Sequence, residues 1–231
     1  MIKTVSLDLG DTLVYNKPWG YEVLAELLRD LGYNVSASEI FRASAKLRGK
    51  KLKPNPNGNN TPSLREVLSS IGIFLTEEQI LSLEEANRKA EREVFLYDDV
   101  IDFLEWSKNV GITLVLISNA AVNGKAKKHV ETFSLSKYFN RMVFSFEVGL
   151  VKPNPEIFKV ALSGFIKPIH VGDIYEVDIK GAKMAGYDGV LIDRRNVYPE
   201  IENRIKTLKQ LMEILEKEKE EGELKQQDLM D

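Results

Sequence analysis

Five short runs of the chain are apolar or β-branched and of strand length: TVSLDL (4–9), ITLVLIS (112–118), RMVFSF (141–146), PIHVGD (168–173) and GVLID (189–193). Helix-like stretches at 123–137, 155–163 and 176–186 lie between the last four. Strands that alternate with helices build a parallel sheet with helices on both faces. Strands this apolar suit a sheet covered on both sides. The expected fold class is α/β, with a Rossmann-like parallel-sheet core.

The first strand stands apart from this rhythm, because a long helical stretch follows it. YEVLAELLRDLG (21–32) is amphipathic, SASEIFRASAKLRG (36–49) opens on a good cap, and 63–71 reads as a shorter helix. The stretch 76–95 starts with Thr76 and has Gln79 three residues on, a capping-box pattern. Residues 16–95 are therefore expected to form a small helical domain inserted into a core made of 1–15 and 96–217. Inside the insertion, KKLKPNPNGNNTP (50–62) carries three prolines and four asparagines and cannot be regular structure. Composition favours a surface loop over a substrate-facing one. Residues 205–217 have helical apolar spacing, and the polar stretch 218–231 is expected to fray.

Composition narrows the function classes. A net charge of −3 gives no global push toward nucleic acid. The absence of cysteine excludes disulfides and thiolate chemistry. No apolar run reaches the ~18 residues that span a membrane, and the first residues lack the pattern of a signal peptide. The expectation is a cytoplasmic monomer or homodimer with neither a nucleic-acid nor a membrane partner. There is no P-loop and no G-x-G-x-x-G, so a nucleotide-driven kinase or dehydrogenase has no support.

In an open parallel sheet, ligands bind beyond the carboxyl ends of the strands. Asp8, the pair Ser118-Asn119, and Asp173 all stand at such ends, and Lys152 follows the RMVFSF strand. Two carboxylates suit a hard cation such as Mg²⁺. A hydroxyl, an amide and a lysine suit a bound anion. Together they describe a site for phosphoryl chemistry. His129, in a basic helical stretch, reads as exposed, and His170 as a core or sheet-edge residue. Two isolated histidines do not make a zinc site. Met184 and Trp106 read as core.

These motifs resemble those of the haloacid dehalogenase superfamily, in its phosphatase-like branch with a helical cap between the first and second motifs. DLGDT resembles the first motif, D-x-D-x-T. LVLISN, VGLVKPNPEIF and VGDIYEVDIKGAKMAG resemble the second, third and fourth, in the expected order. The resemblance implies a Mg²⁺-dependent phosphatase with Asp8 as nucleophile, acting on a small phosphorylated metabolite through an aspartyl-phosphate. It implies Asp8, the Gly10 carbonyl and Asp173 as metal ligands. Asp178 would hold Lys152 or a metal-bound water. Thr12, Ser118, the Asn119 amide and Lys152 would bind the phosphoryl group. In the cap, Trp19, Tyr21, Arg42, Lys46 and Arg48 are the candidate substrate contacts.

One departure matters. The residue two after the nucleophile is usually a second Asp, which protonates the leaving oxygen and activates water. Here it is Gly10, and the extra acid stands at Asp11. Asp11 either substitutes as acid/base or caps the turn with its side chain. Two other readings stay open: a 2-haloacid dehalogenase, and a slow or non-catalytic phosphate-binding protein. A phosphonate-cleaving relative would need a desolvated cap lysine, and none is marked.

Overall fold

The structure, a computed structural model, describes residues 2–227, with side chains as far as residue 221. The chain opens with β1 (Thr4–Leu7), then a short β2 (Val14–Lys17). Four helices follow: α1 (Gly20–Asp30), α2 (Ala37–Arg48), α3 (Leu64–Ser70) and α4 (Glu77–Lys89). β3 (Glu93–Leu96) returns antiparallel to β2. The remainder alternates: α5 (Val100–Asn109), β4 (Thr113–Ser118), α6 (Lys125–Thr132), β5 (Arg141–Phe144), α7 (Ser145–Val148) and α8 (Pro155–Leu162). β6 (Pro168–Gly172), α9 (Lys180–Met184), β7 (Asp188–Ile192), β8 (Arg204–Ile205) and α10 (Leu208–Gln227) complete it.

Six strands form one parallel sheet in the order β5-β4-β1-β6-β7-β8. This is the expected α/β Rossmann-like fold. Side-chain alternation along a strand supplies both faces of the core. On β4, Leu114 and Leu116 join Val5, Leu7 and Phe103 on one face. Val115 and Ile117 join Val143 and Phe158 on the other. β1 lies between β4 and β6, with Leu7 beside both Leu116 and Val171. The chain winds first to one side of β1 and then to the other, so the crevice opens at the carboxyl end of β1.

Helices α1 to α4 pack on a cluster of their own that includes Leu28, Ile40, Leu68 and Leu83. Ser36, Ser63 and Thr76 accept the backbone N–H of Glu39, Glu66 and Gln79, and those side chains reach back. Each such cap contributes about 1 kcal/mol. β2 and β3, which lead into and out of these helices, went unread in the sequence because four-residue strands carry little periodicity.

Several expectations are corrected. The stretch 123–137 is not one helix: α6 stops at Thr132, Ser134 takes φ +52°, and a 3₁₀ turn follows at Leu135–Tyr138. Met184 ends the short α9 half exposed, at 54 %, rather than in the core. Residues 218–227, expected to fray, continue α10; 228–231 lie outside the described residues. The asparagine-rich stretch 50–62 is not a loose surface loop. Ser145 Oγ donates to Gly58 O at 2.6 Å and Val122 N to Asn57 O at 2.9 Å. Gly58 has φ +82°, and a Cβ there would meet Phe146 Cβ at 2.5 Å. Its asparagines bond to each other and to the core, which composition could not reveal.

Candidate active site

β1 delivers Asp8 to the carboxyl edge of the sheet, where Asp8 N donates to Val171 O at 2.9 Å. The chain then reverses. Leu13 N and Val14 N both donate to Leu9 O, and Asp11 N donates to Val14 O at 2.7 Å. Asp11 takes φ +52°, a left-handed conformation that Asp tolerates better than most residues. β4 ends in Ser118, which lines the same 410 Å³ cavity as Asp8, Lys152, Asp173 and Asp178.

After β6 the backbone makes a π-type turn over Tyr175–Ile179. Such widened turns recur at functional sites. Asp178 N donates to Ile174 O at 2.7 Å, and Ile174 N donates to Asp178 Oδ2 at 3.0 Å. The carboxylate is thereby folded back over the strand. Gly172 makes room for it, since a Cβ there would lie 2.6 Å from Asp178 Cβ.

Lys152 ties the acids together. It is 1 % exposed, and Nζ donates to Asp8 Oδ1 at 2.6 Å, Asp178 Oδ1 at 2.6 Å and Ile117 O at 2.8 Å. All three ammonium hydrogens are thus used. Burial alone would lower the lysine pKa, but Asp178 and Asp8 outweigh it and hold the ammonium charged. Burial likewise works to raise Asp178, yet Lys152 and the bond from His170 hold that carboxyl well below the usual range. Asp8 differs: burial pushes it up to about 6 against the pull of Lys152.

Asp173 makes no ion pair among the described residues, and only the charge of nearby Lys152 works against its burial. Asp173 is 9 % exposed, and among the described residues no hydrogen bond or ion pair reaches its carboxylate. Burial first, then repulsion from Asp8 and Asp11, raises it well above the usual range. No three His, Cys, Asp or Glu side chains among the described residues form a ready metal cage. Asp8, Asp173 and the Gly10 carbonyl still form a hard-oxygen set lining one cavity. That donor set fits Mg²⁺, which keeps several waters and needs few protein ligands.

The other expected residues divide. Of the two tasks open to Asp178, the bond to Lys152 is the one observed. The Asn119 side chain is engaged with the lysine backbone: Oδ1 accepts from Lys152 N at 2.8 Å and Nδ2 donates to Lys152 O at 2.7 Å. Thr12 is fully buried with its hydroxyl unpartnered and does not line the cavity. Asp11 lines it, but its oxygens accept from Arg195 Nε at 3.0 Å and Trp19 Nε1 at 3.1 Å. Arg195 also stacks over the Trp19 ring at 4.4 Å. Trp19, Tyr21 and Arg48 line the cavity. Arg42 instead bonds Val197 O and Glu200, and Lys46 lines a different cavity.

Sequence reasoning missed four contributors. His129 is half-buried and lines the cavity. His170 is a fully buried central-strand residue, 2.8 Å from Ser6 Oγ through Nδ1 and 3.1 Å from Asp178 Oδ1 through Nε2. Burial keeps its imidazole below the ordinary value. Asn60 is 1 % exposed; its Nδ2 donates to Lys152 O at 2.8 Å and its Oδ1 accepts from Asn119 Nδ2 at 3.0 Å. Arg195 follows β7, and that strand-end position was the available signal.

A parallel sheet whose central strand ends in a lysine-clamped carboxylate, beside a second, unpaired one, defines a class of α/β enzymes that work on anionic substrates. The comparisons narrow it. The family model for haloacid dehalogenase-like hydrolases matches residues 2–186, and the chain belongs to that family. It is 30 % identical over 223 residues to phosphoserine phosphatase of Thermus thermophilus, covering 84 % of this chain and 89 % of that one. It is 29 % identical to glyceraldehyde 3-phosphate phosphatase of Methanopyrus kandleri, covering 88 % and 89 %. A solved HAD phosphatase from Thermococcus onnurineus shares the fold, with a TM-score of 0.57, 24 % identity and coverage of 93 % and 98 %. Among the described residues no helix is long and apolar enough to cross a membrane.

Proposed function

We propose that the protein is a Mg²⁺-dependent phosphomonoesterase acting on a small phosphorylated metabolite through an aspartyl-phosphate on Asp8. One observation carries the reading: buried Asp8 is held by Lys152 and stands in one cavity with the unpaired Asp173. Two relatives that match most of the chain bear the names of phosphatases, which supports it.

An Asp8 oxygen forms a bond to phosphorus as the ester P–O bond breaks and the alcohol departs. Water then attacks the phosphorus, the bond to Asp8 breaks, and inorganic phosphate leaves. Lys152 stabilises the carboxylate and the negative charge that gathers on the phosphoryl oxygens. Asp178 and His170 hold Lys152 in place. Ser118 offers a hydroxyl to the phosphoryl group. Mg²⁺, held by Asp8, Asp173 and the Gly10 carbonyl, would supply further positive charge.

Asp11 is assigned to architecture: its carboxylate joins Arg195 to Trp19 at the entry to the helical insertion, and proton transfer is left to water. Residues 16–95 act as the cap that covers the site and excludes bulk solvent.

The test is hydrolysis of p-nitrophenyl phosphate with and without Mg²⁺, by the parent and by Asp8→Asn. Mg²⁺-dependent turnover that disappears in Asp8→Asn is expected. A folded parent without turnover, or one that instead releases chloride from 2-chloropropionate, would overturn the assignment.

A further inference from the structure

The cavity over Asp8 has a second wall that the chemistry above does not use. Arg48, the last residue of α2, lines it from the insertion. Lys125 and His129 line it from α6, four residues apart and so on one helix face. The Arg48 guanidinium is only partly engaged: Nη2 donates to Thr61 Oγ1 at 3.1 Å, while its buried Nε has no partner.

No carboxylate neutralises this wall. Among the described residues, none pairs with Arg48, Lys125 or His129. The acid that feels the charge of Arg48 is Asp11, already bonded to Arg195 and Trp19. Burial together with Lys125 and Lys128 holds the His129 imidazole below its ordinary value, which marks the surroundings as electropositive. These groups come from α2 and α6, not from the strand ends that carry Asp8, Ser118 and Asp173. They are free to address a part of the substrate other than the phosphoryl group.

We infer that this wall is a carboxylate subsite, and that the substrate is a phosphorylated carboxylic acid with its carboxylate a few bonds from the phosphoester. The inference rests on the phosphatase reading and narrows its substrate class. A guanidinium presents parallel N–H donors that match two coplanar carboxylate oxygens. Arg48 offers its guanidinium nitrogens from the cavity lining, Lys125 adds charge, and neutral His129 adds a hydrogen bond. The aromatic side chains of Trp19, Tyr21 and Phe41 line the same cavity.

Matched esters test this. Phosphoglycolate and ethyl phosphate differ in whether the second carbon is a carboxylate or a methyl group. The parent is expected to prefer phosphoglycolate in kcat/KM by at least about 30-fold, the scale of charge-assisted hydrogen bonds to one carboxylate. Arg48→Gln should cut that ratio at least about tenfold. Lys125→Gln should lower it too, so the conclusion does not rest on one variant. A parent ratio near one, a ratio that survives both substitutions, or a stronger preference for ethylene bisphosphate would overturn the inference. p-Nitrophenyl phosphate is run on the same preparations. If the parent hydrolyses it, failure of the ratio test belongs to the carboxylate subsite alone. If not, the phosphatase reading has failed and the subsite falls with it.

Discussion

Gly10 stands where the family's usual motif carries a second aspartate, and the backbone is ready to receive one. A Cβ built on Gly10 meets nothing within 4 Å, and the residue does not adopt a left-handed φ. It is exposed and lines the cavity. Gly10→Asp should therefore change stability by no more than about 1 kcal/mol. The new carboxyl would lie near Asp8 and Asp173, whose charge favours its protonated form. A positioned general acid is worth about 10²–10⁴ in rate, or about 3–5 kcal/mol of barrier. A newly installed group lacks supporting hydrogen bonds, so we take about tenfold as the lower bound. That gain applies to alkyl leaving groups, which need a proton, and hardly to nitrophenolate, which does not. The assay is phosphate release from ethyl phosphate against p-nitrophenyl phosphate, with melting curves on both proteins. The ratio of their kcat values should rise at least about tenfold in Gly10→Asp. If both rates move by the same factor while the fold is intact, the idea that this site lacks only its proton donor is wrong.

Asp173→Asn should stabilise the metal-free protein by about 2 kcal/mol, or about 6 °C in Tm, while abolishing the Tm rise that Mg²⁺ gives the parent. The pH sign follows from its raised pKa: ionised Asp173 burdens the fold above its folded pKa and no longer does so below the ordinary value near 3.8. The advantage of the variant should therefore grow from pH 5 to pH 8 in scanning calorimetry. Lys152→Ala should cost about 3–5 kcal/mol in urea unfolding, because it strands Asp8 and Asp178 as buried charges. A loss under about 1 kcal/mol would mean that water replaces the lysine freely. Asn60→Ala should slow kcat by about tenfold through loss of its bonds to Asn119 and the Lys152 carbonyl, about 1–2 kcal/mol, with Asn60→Asp restoring only the acceptor side. Equal kcat in parent and Asn60→Ala would show that the loop does not set the lysine's position.

Much of this was legible in the sequence, for identifiable reasons. β1, β4 and β6 are buried on both faces, so each reads as a mostly apolar or β-branched run, and what stands at its end is set by topology. Asp8, Ser118 and Asp173 were found in this way. Lys152 was found through its surrounding motif; only the structure gives its threefold hold on Asp8, Asp178 and Ile117 O. The rest depends on long-range partners. Asn60 lies 92 residues from Lys152 in the chain, within a stretch whose composition reads as loop. Arg195 reaches Asp11 across 184 residues. His129 sits in a basic run that reads as solvated, and only the fold shows it lining the cavity. Local pattern carries no record of such pairings.

The central claim is a covalent bond between Asp8 and phosphorus, and borohydride trapping tests it most directly. With no acid/base residue at position 10, hydrolysis of the acyl phosphate should be slow enough for it to accumulate during turnover of p-nitrophenyl phosphate. Borohydride reduces an acyl phosphate to the alcohol, so peptide mass spectrometry should find homoserine at residue 8. The modification should require both substrate and Mg²⁺. Turnover that leaves residue 8 unmodified, or that places the reduced group at Asp11 or Asp173, would contradict the account.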